Sequence, residues 1–195
     1  PERMRELAEQ GQSPDVMLIA CSDSRVDPAL LLDSEPGELF IARNVANLVP
    51  PYGPDDGLHG TSAALEFAVR DLKVSHIVVL GHSACGGIGA LRAARSGTPN
   101  IREFIAPWME IASEACPCGA DGSVPAQNDV EQDSIRISLR NLATFPWIAE
   151  RIAAGDLKLH GWWVDLEQGH LCAVDPDSAD VNELVGGDVI AHAAD

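Results

Sequence analysis

The stretch that decides the fold reads Ser75-His76-Ile77-Val78-Val79-Leu80-Gly81-His82-Ser83-Ala84-Cys85-Gly86-Gly87. Residues 77–80 are apolar and mostly β-branched, and they stop at a glycine, which predicts a short buried β-strand. Gly86 and Gly87 then open an amphipathic segment, so a helix should follow through residue 95. A strand that leads directly into a helix is the repeating unit of a parallel sheet.

The same pattern extends to both sides of this stretch. Further strands are predicted at residues 15–20, 39–42, 158–165 and 170–174. The last two are joined by Glu167-Gln168-Gly169, which is typical of a tight hairpin and adds an antiparallel edge. We therefore predict an α/β fold with a mostly parallel central β-sheet, of about four parallel strands plus an antiparallel edge strand, flanked by helices.

Other helices are predicted from charge and apolar spacing at residues 1–7, 61–73, 101–115 and 128–153. Thr61 is a plausible N-cap for the helix at 61–73. The helix at 128–153 carries apolar residues at helical spacing, namely Ile135, Leu139, Leu142 and Ile148.

The composition fits a single domain over residues 1–195. Thirty acidic residues against thirteen basic ones give a formal net charge of −17, and no basic patch stands out, so we expect no nucleic-acid partner and no membrane partner. No apolar run approaches the ~18–20 residues of a membrane span. Five cysteines, an odd number in a chain large enough to fold without disulfides, favour a reducing compartment and a cytoplasmic protein.

Residues that bind soft metals follow two of the predicted strands. Cys21-Ser22-Asp23-Ser24-Arg25 comes after the first strand, and His82 with Cys85 comes after the strand at 75–80. In open parallel sheets, ligands bind in the crevice outside the carboxyl ends of the strands. Cys21, His82 and Cys85 together form a Cys₂His set, which holds Zn²⁺ with a fourth position free for water, as a catalytic site does.

Asp23 and Arg25 have a function beside such an ion. A carboxylate paired with arginine stays ionised and oriented, so it can accept a hydrogen bond from water at the open position. Without its arginine, the same carboxylate could take the fourth position and close the site.

Each of these residues has a plainer interpretation when it is taken alone. A single cysteine at a strand end is usually a packing residue, and a single histidine is usually a satisfied core side chain. Cys116 and Cys118, one residue apart in a presumed loop, are interpreted as free thiols rather than a redox or metal pair, and Cys172 as packing. The histidines with no partner pattern are His59, His76, His160, His170 and His192.

Taken together, these motifs closely resemble those of the β-class carbonic anhydrases. Pro36-Gly37-Glu38, Arg43-Asn44-Val45-Ala46-Asn47 and Leu159-His160-Gly161-Trp162 match as well, so the resemblance runs from about Gln12 to about Pro176. It implies reversible hydration of carbon dioxide to bicarbonate and a proton by zinc-bound hydroxide. The implied zinc ligands, one ion per subunit, are Cys21, His82 and Cys85, with Asp23 and Arg25 as the catalytic dyad.

Within that family the chain resembles the plant-like branch. Gln12 matches a glutamine on its substrate side, although Phe67 replaces a tyrosine of the pattern. The branch that bicarbonate inhibits has Trp and Tyr where this chain has Leu18 and Phe67, and only its arginine is matched, by Arg43. The residues that the resemblance places against carbon dioxide are Gln12, Phe40, Val45, Phe67 and Gly86, the last through its backbone N–H.

In the family, the glutamine and the apolar wall come from a neighbouring subunit. The resemblance therefore implies a homodimer or a higher even-numbered homo-oligomer with active sites at the subunit interface. An N-terminal helical arm packs on the partner in this family. Because the chain starts within a helical pattern, we expect the native arm to be missing here.

Two other functions remain open from the sequence. The same scaffold hydrolyses carbon disulfide or carbonyl sulfide in close relatives of the family, although no long insertion rebuilds the entrance here. A zinc-stabilised binding module without turnover is the second alternative. Asp23 and Arg25 count against it, because a structural zinc ion needs no such dyad.

Overall fold

A six-stranded β-sheet forms the centre of the structure. A computed structural model describes residues 2–98 and 102–185. The strands are β1 Val16–Cys21, β2 Leu39–Asn44, β3 His76–His82, β4 Lys158–Asp165, β5 His170–Val174 and β6 Val181–Val185. Their order in the sheet is β2-β1-β3-β4-β5-β6. The first four strands in that order are parallel, and β5 and β6 are antiparallel to their neighbours. The predicted α/β fold is confirmed.

The sheet has one strand more than the sequence predicted. Strand β6 pairs with β5 and forms the edge, and its three central residues are exposed. A strand that buries neither face lacks the apolar run by which the other strands were predicted.

Seven α-helices lie among the described residues, and none is long and apolar enough to cross a membrane. Helix α1 extends to Gln10, three residues beyond the predicted helix, whose first residue, Pro1, lies outside the described part. The short helix α2 was not predicted; Asp27 caps it by accepting from the backbone N–H of Ala29 at 3.0 Å. The helices are α1 Glu2–Gln10, α2 Pro28–Leu31, α3 Gly60–Glu66, α4 Gly86–Arg95, α5 Ile105–Met109, α6 Gln127–Leu142 and α7 Pro146–Ala153.

Two of the predicted helices are not continuous. The helix predicted at 128–153 ends at Leu142 and starts again as α7 at Pro146, because proline is tolerated in the first turn of a helix but breaks its interior. The helix predicted at 101–115 is the short α5 followed by a 3₁₀ turn, Glu110–Ala115. Residue 101 lies outside the described part of the chain.

The helix predicted at 61–73 has a different start and a different end. Helix α3 begins at Gly60, so Thr61 lies inside the helix and is not its N-cap. After Glu66 it widens into a π-helical turn, Phe67–Asp71, in which the N–H of Leu72 donates to the carbonyl of Phe67, five residues back, at 3.0 Å. Such turns are rare and occur frequently at functional sites.

Both faces of the central strands are buried. Met17 and Ile19 of β1 point into a cluster with side chains of α3, α6 and α7, and the alternate residues Leu18 and Ala20 point into a second cluster. A third cluster lies at the carboxyl ends of the strands and contains Cys21.

Helix α6 approaches the sheet closely at two glycines. A Cβ added at Gly81 of β3 would lie 2.7 Å from Ile135 Cδ1, and one added at Gly161 of β4 would lie 2.8 Å from Ile135 Cγ2. A side chain at either glycine would force Ile135 to move. The contact brings α6 beside the carboxyl end of β3, where the candidate site lies.

Candidate metal centre

The structure brings together the three residues predicted as metal ligands. Cys21 ends β1, His82 ends β3, and Cys85 immediately precedes α4. Their ligand atoms all lie within 4.8 Å of one another, and the two sulfur atoms are 4.0 Å apart. The exposed fractions are 4% for Cys21, 0% for His82 and 2% for Cys85. Among residues 2–98 and 102–185, this is the only group of at least three such donors that could hold an ion.

His82 has the protonation pattern of a metal ligand. Its Nδ1 lies 2.9 Å from the carbonyl oxygen of Ser83, so this nitrogen carries the proton and donates it. Its Nε2 is buried and has no hydrogen-bond partner within the described structure. A buried nitrogen without a partner is costly, and a metal ion between Nε2 and the two sulfur atoms removes that cost.

The two thiols also favour a cation. The hydrogen bond from Cys85 is the main cause that lowers the pKa of Cys21 to about 4, and the same bond raises the pKa of Cys85 above its ordinary value. Two thiolates only 4.0 Å apart repel each other unless a cation lies between them. A divalent ion lets both sulfur atoms bind as thiolates, so the donor set fits zinc.

Asp23 and Arg25 form the predicted pair next to these ligands. The Nε of Arg25 donates to Oδ1 of Asp23 at 3.0 Å, and its Nη2 donates to Oδ2 at 2.8 Å. These bonds hold the pKa of the Asp23 carboxyl well below its ordinary range. Oδ2 lies 3.9 Å from His82 Nε2, so the charged carboxylate borders the space between the ligand atoms.

Arg43 supports the loop that carries this pair. Its guanidinium donates to the carbonyl oxygens of Cys21 at 2.9 Å, Asp23 at 2.7 Å and Val26 at 2.7 Å. Sequence reasoning related Arg43 only to the bicarbonate-inhibited branch and missed this contact with the metal loop. The parallel register that pairs Ala20 with Arg43 explains the contact, and it requires knowledge of which strands are neighbours.

Glu131 is a second residue that sequence reasoning missed. It lies on α6, is 2% exposed, and accepts a hydrogen bond from the backbone N–H of Cys85 at 2.9 Å. Glutamate is almost never fully buried, so its position on an amphipathic helix gave no signal.

The residues predicted to contact carbon dioxide lie in two places. Val45 packs in the cluster of Cys21 and Cys85, and Gly86 is exposed at the start of α4. Gln12, which is exposed, precedes β1 and is therefore at the opposite edge of the sheet from Cys21.

Phe40 and Phe67 form the second group. Their ring centroids are 5.8 Å apart, and Phe67 is 44% exposed. Phe40 pairs with Met17, four residues before Cys21, which corresponds to about 13 Å along the strand. One copy of the chain therefore does not bring Gln12, Phe40 and Phe67 to its own ligand set.

Within residues 2–98 and 102–185, the other cysteines and histidines are not part of the ligand set. Cys116 is buried, Cys118 is exposed and Cys172 is partly buried, and all three are free thiols. Three histidine contacts escaped the sequence patterns. His76 Nδ1 lies 2.9 Å from His160 Nε2, and His59 Nε2 lies 2.6 Å from Asp55 Oδ1. His170 Nδ1 lies 3.5 Å from Glu183 Oε2. His192 lies outside the described residues.

A buried Cys₂His set at the carboxyl edge of a parallel sheet, with an oriented carboxylate beside it, defines a zinc-dependent enzyme of the α/β class. Residues 16–171 match the family model described as carbonic anhydrase. A carbonic anhydrase of Pseudomonas aeruginosa is 42% identical over 168 residues, which are 84% of this chain and 74% of that protein. Two other curated relatives are longer than this chain, and the matched residues cover only 64% and 58% of the lengths of those two proteins.

Solved structures agree with the sequence matches. The β-carbonic anhydrase CcaA is 32% identical, with a TM-score of 0.75 over 95% of this chain and 84% of that one. A structure from work on two tetrameric β-carbonic anhydrases of the filamentous ascomycete Sordaria macrospora is 31% identical, with a TM-score of 0.68 over 94% of this chain and 86% of that one. The chain belongs to the carbonic anhydrase family and to its β class, which confirms the resemblance seen in the sequence.

Proposed function

We propose that this chain catalyses the reversible hydration of carbon dioxide to bicarbonate and a proton. The observation that carries the proposal is the unpartnered, fully buried Nε2 of His82, which faces two cysteine sulfur atoms and the ionised carboxylate of Asp23. Membership in the carbonic anhydrase family supports the same reaction.

Cys21, His82 and Cys85 would hold one zinc ion per subunit. A zinc ion with three protein ligands supplies Lewis acidity that lowers the pKa of a water molecule to about 7 and so provides the nucleophile at neutral pH. Family membership and the chemistry of the donor set both support zinc.

Asp23 orients the attacking water. Because Arg25 occupies both of its oxygen atoms, the carboxylate stays charged and cannot turn freely toward the ligands. It can accept a hydrogen bond from the water that attacks carbon dioxide, which leaves an oxygen lone pair directed at the carbon atom. The proton that is released passes to solvent or buffer.

The substrate pocket would be completed by a second copy of the chain. Gln12, Phe40 and Phe67 lie away from their own ligand set, and the exposed ring of Phe67, which packs beside the partly buried Phe40, is suited to line a pocket in a neighbour. Val45 packs beside its own Cys21 and Cys85, so it would add to the apolar wall from within the same subunit, unlike the expectation that the whole wall comes from a neighbour. The backbone N–H of Gly86 would contact a substrate oxygen. We infer a homodimer or a higher even-numbered homo-oligomer, as the related Sordaria macrospora enzymes are tetrameric.

The plant-like character of the site also belongs to this proposal. Leu18 and Phe67 provide no polar group for a second bicarbonate pocket, and Arg43 donates to three backbone carbonyls instead. We further propose that residues 1–195 form a single zinc-dependent domain and that the protein works in the cytoplasm. Five cysteines outside any disulfide bond, two of them assigned to zinc, support a reducing compartment.

Stopped-flow hydration of carbon dioxide, with zinc analysis on the same sample, tests the proposal. We expect about one zinc ion per chain and a rate far above that of the buffer. Hydrolysis of carbon disulfide and carbonyl sulfide is measured in parallel. Turnover of either sulfur compound without carbon dioxide hydration, or zinc binding without any turnover, would contradict the proposal.

A further inference from the structure

Glu131 is the one buried acidic side chain, among the described residues, that lies at the metal centre without being a ligand or part of the dyad. Its carboxylate accepts from the backbone N–H of Cys85 at 2.9 Å, from Gln127 Nε2 at 3.0 Å and from Trp163 Nε1 at 3.3 Å. A buried carboxylate is costly unless hydrogen bonds replace the lost water, and these three donors offset part of that cost. The position of the carboxylate is therefore fixed by specific contacts.

The backbone of Cys85 is held on both sides by two residues of α6. Glu131 accepts a hydrogen bond from the N–H of Cys85. Gln127, one helical turn earlier, donates to the carbonyl oxygen of Cys85 at 3.2 Å. The preceding residue, Ala84, has a φ of 56°, in the left-handed region that an alanine rarely adopts. Such a conformation persists only where the surroundings determine it, so the contacts from α6 fix the direction of the Cys85 side chain.

The same peptide unit also contacts the catalytic dyad. The carbonyl oxygen of Ala84 accepts from Arg25 Nη2 at 3.0 Å, while the N–H of Cys85, in the same peptide unit, donates to Glu131. A negative group at the N–H and a positive group at the carbonyl polarise a peptide in the same sense, so each bond strengthens the other.

We propose that Glu131 is a positioning residue of the metal centre. By fixing the peptide unit between Ala84 and Cys85, it directs the Cys85 thiolate toward the metal and holds the Arg25 guanidinium against Asp23. It acts only through Cys85 and Arg25 and touches neither the ion nor the substrate. The inference rests on the proposed function, because it assumes that these ligands hold an ion.

Glu131→Gln tests the first part of the inference. An amide can replace only one accepting oxygen, so at least one of the three donors then faces an N–H group. With cobalt in place of zinc, we expect metal affinity to fall by about tenfold or more and the thiolate-to-cobalt absorption bands to shift. The matched control is Glu110→Gln, which alters an exposed ion pair with Arg95 and should change neither readout.

Rescue separates positioning from general packing. Trp163→Phe removes the indole N–H that faces the new amide, so the double variant Glu131→Gln with Trp163→Phe should regain at least part of the affinity and the original band positions. Trp163→Phe alone leaves the bond to Cys85 intact and should bind cobalt almost normally. If Glu131→Gln binds cobalt as tightly as the unchanged chain and with the same spectrum, or if Trp163→Phe alone weakens binding as much, the inference is wrong.

The link to Arg25 is tested by a double-mutant cycle. Cobalt affinity is compared, as a fold-loss, in Arg25→Gln, in Glu131→Gln and in the double variant. If the shared peptide unit couples the two side chains, the fold-loss of the double variant is smaller than the product of the two single fold-losses. Losses that multiply would show that the coupling is absent.

Two controls keep the outcome clear. If the unchanged chain binds neither zinc nor cobalt, the proposed function fails; if it binds one ion per chain and the variants do not differ, only the positioning role fails. If Glu131→Gln does not fold, judged by circular dichroism, Gln127→Leu carries the test. It removes the bond to the Cys85 carbonyl and should give a smaller shift of the same bands, while unchanged bands would overturn the inference.

Discussion

Arg25 binds both oxygen atoms of the Asp23 carboxylate, with Nε 3.0 Å from Oδ1 and Nη2 2.8 Å from Oδ2. Two parallel charge-assisted bonds fix the plane of the carboxylate and favour its ionised form. The structure thus places Oδ2 of the charged, oriented Asp23 carboxylate 3.9 Å from Nε2 of His82, the nitrogen that faces the two cysteine sulfur atoms.

Asp23→Asn should separate metal binding from catalysis. The amide leaves the ligands Cys21, His82 and Cys85 in place, so we expect nearly full zinc content. Because the amide accepts hydrogen bonds less well and loses the charge-assisted pairing, hydration should fall by roughly 10²-fold or more. Stopped-flow rates normalised to zinc measure the effect, with Asp55→Asn in the exposed pair with His59 as the control. Unchanged activity in Asp23→Asn would remove the role given to this residue.

Gln12 and Asp23 should act in different subunits. We expect Gln12→Ala and Asp23→Asn each to be poorly active alone. In a mixed dimer, the site that combines the intact Asp23 of one chain with the intact Gln12 of the other is complete, so random mixing should restore about a quarter of the wild-type activity.

The pure variants, treated identically, are the controls for that experiment. If mixing restores nothing although hetero-oligomers form, Gln12 serves its own subunit, and the proposed interface pocket is wrong.

His160 should make the protein less stable as the pH falls. Burial is the main cause that lowers the pKa of His160, with the neighbouring His76 and Lys158 acting in the same direction. The unfolded chain therefore binds a proton at this position more readily than the folded one, so the free energy of unfolding decreases as the pH falls below about 6.5. Urea unfolding at pH 8 and pH 5.5 measures this slope.

His160→Asn should make the free energy of unfolding depend less on pH. Above pH 7.5, where His160 is neutral in both states, the difference in this free energy between the variant and the unchanged chain should be constant. A slope equal to that of the unchanged protein would show that His160 does not contribute.

The close contact between α6 and the sheet should make Gly161 intolerant of a side chain. A Cβ at this position would lie 2.8 Å from Ile135 and 3.0 Å from Leu139, so Gly161→Ala should lower the free energy of unfolding by about 1–3 kcal/mol. Gly60→Ala in α3 is the matched control, because nothing lies within 4 Å of its added Cβ. Denaturant unfolding compares the two. Equal effects would mean that α6 can move away from the sheet without cost.

Local patterns predicted the parts of the molecule that depend on neighbouring residues in the chain. The runs ending at Cys21 and Leu80 are apolar because both faces of their strands are buried, so the parallel strands and the three candidate metal ligands could be predicted from the sequence. Strand β6 could not be predicted from an apolar run, since its central residues are exposed. Pro146 marks the start of α7, but the apolar spacing continues on both sides of it, so the spacing alone predicts one continuous helix.

The residues that sequence reasoning missed act over long distances in the chain. Glu131 is 46 residues from Cys85, and Arg43 is 22 residues from Cys21, so their contacts depend on strand order and on how α6 crosses the sheet. The same limit applies to Gln12, Phe40 and Phe67. The roles proposed for them require a particular arrangement of two copies of the chain, which no local pattern encodes.

The most direct test of the central claim is a zinc titration of the metal-free protein, with carbon dioxide hydration measured at each step. The hydration rate should rise in proportion to added zinc and stop rising at one ion per chain, and Cys85→Ser should neither bind zinc tightly nor gain activity. A hydration rate that does not depend on zinc, or full activity in Cys85→Ser, would contradict the assignment of Cys21, His82 and Cys85 as the centre of the reaction.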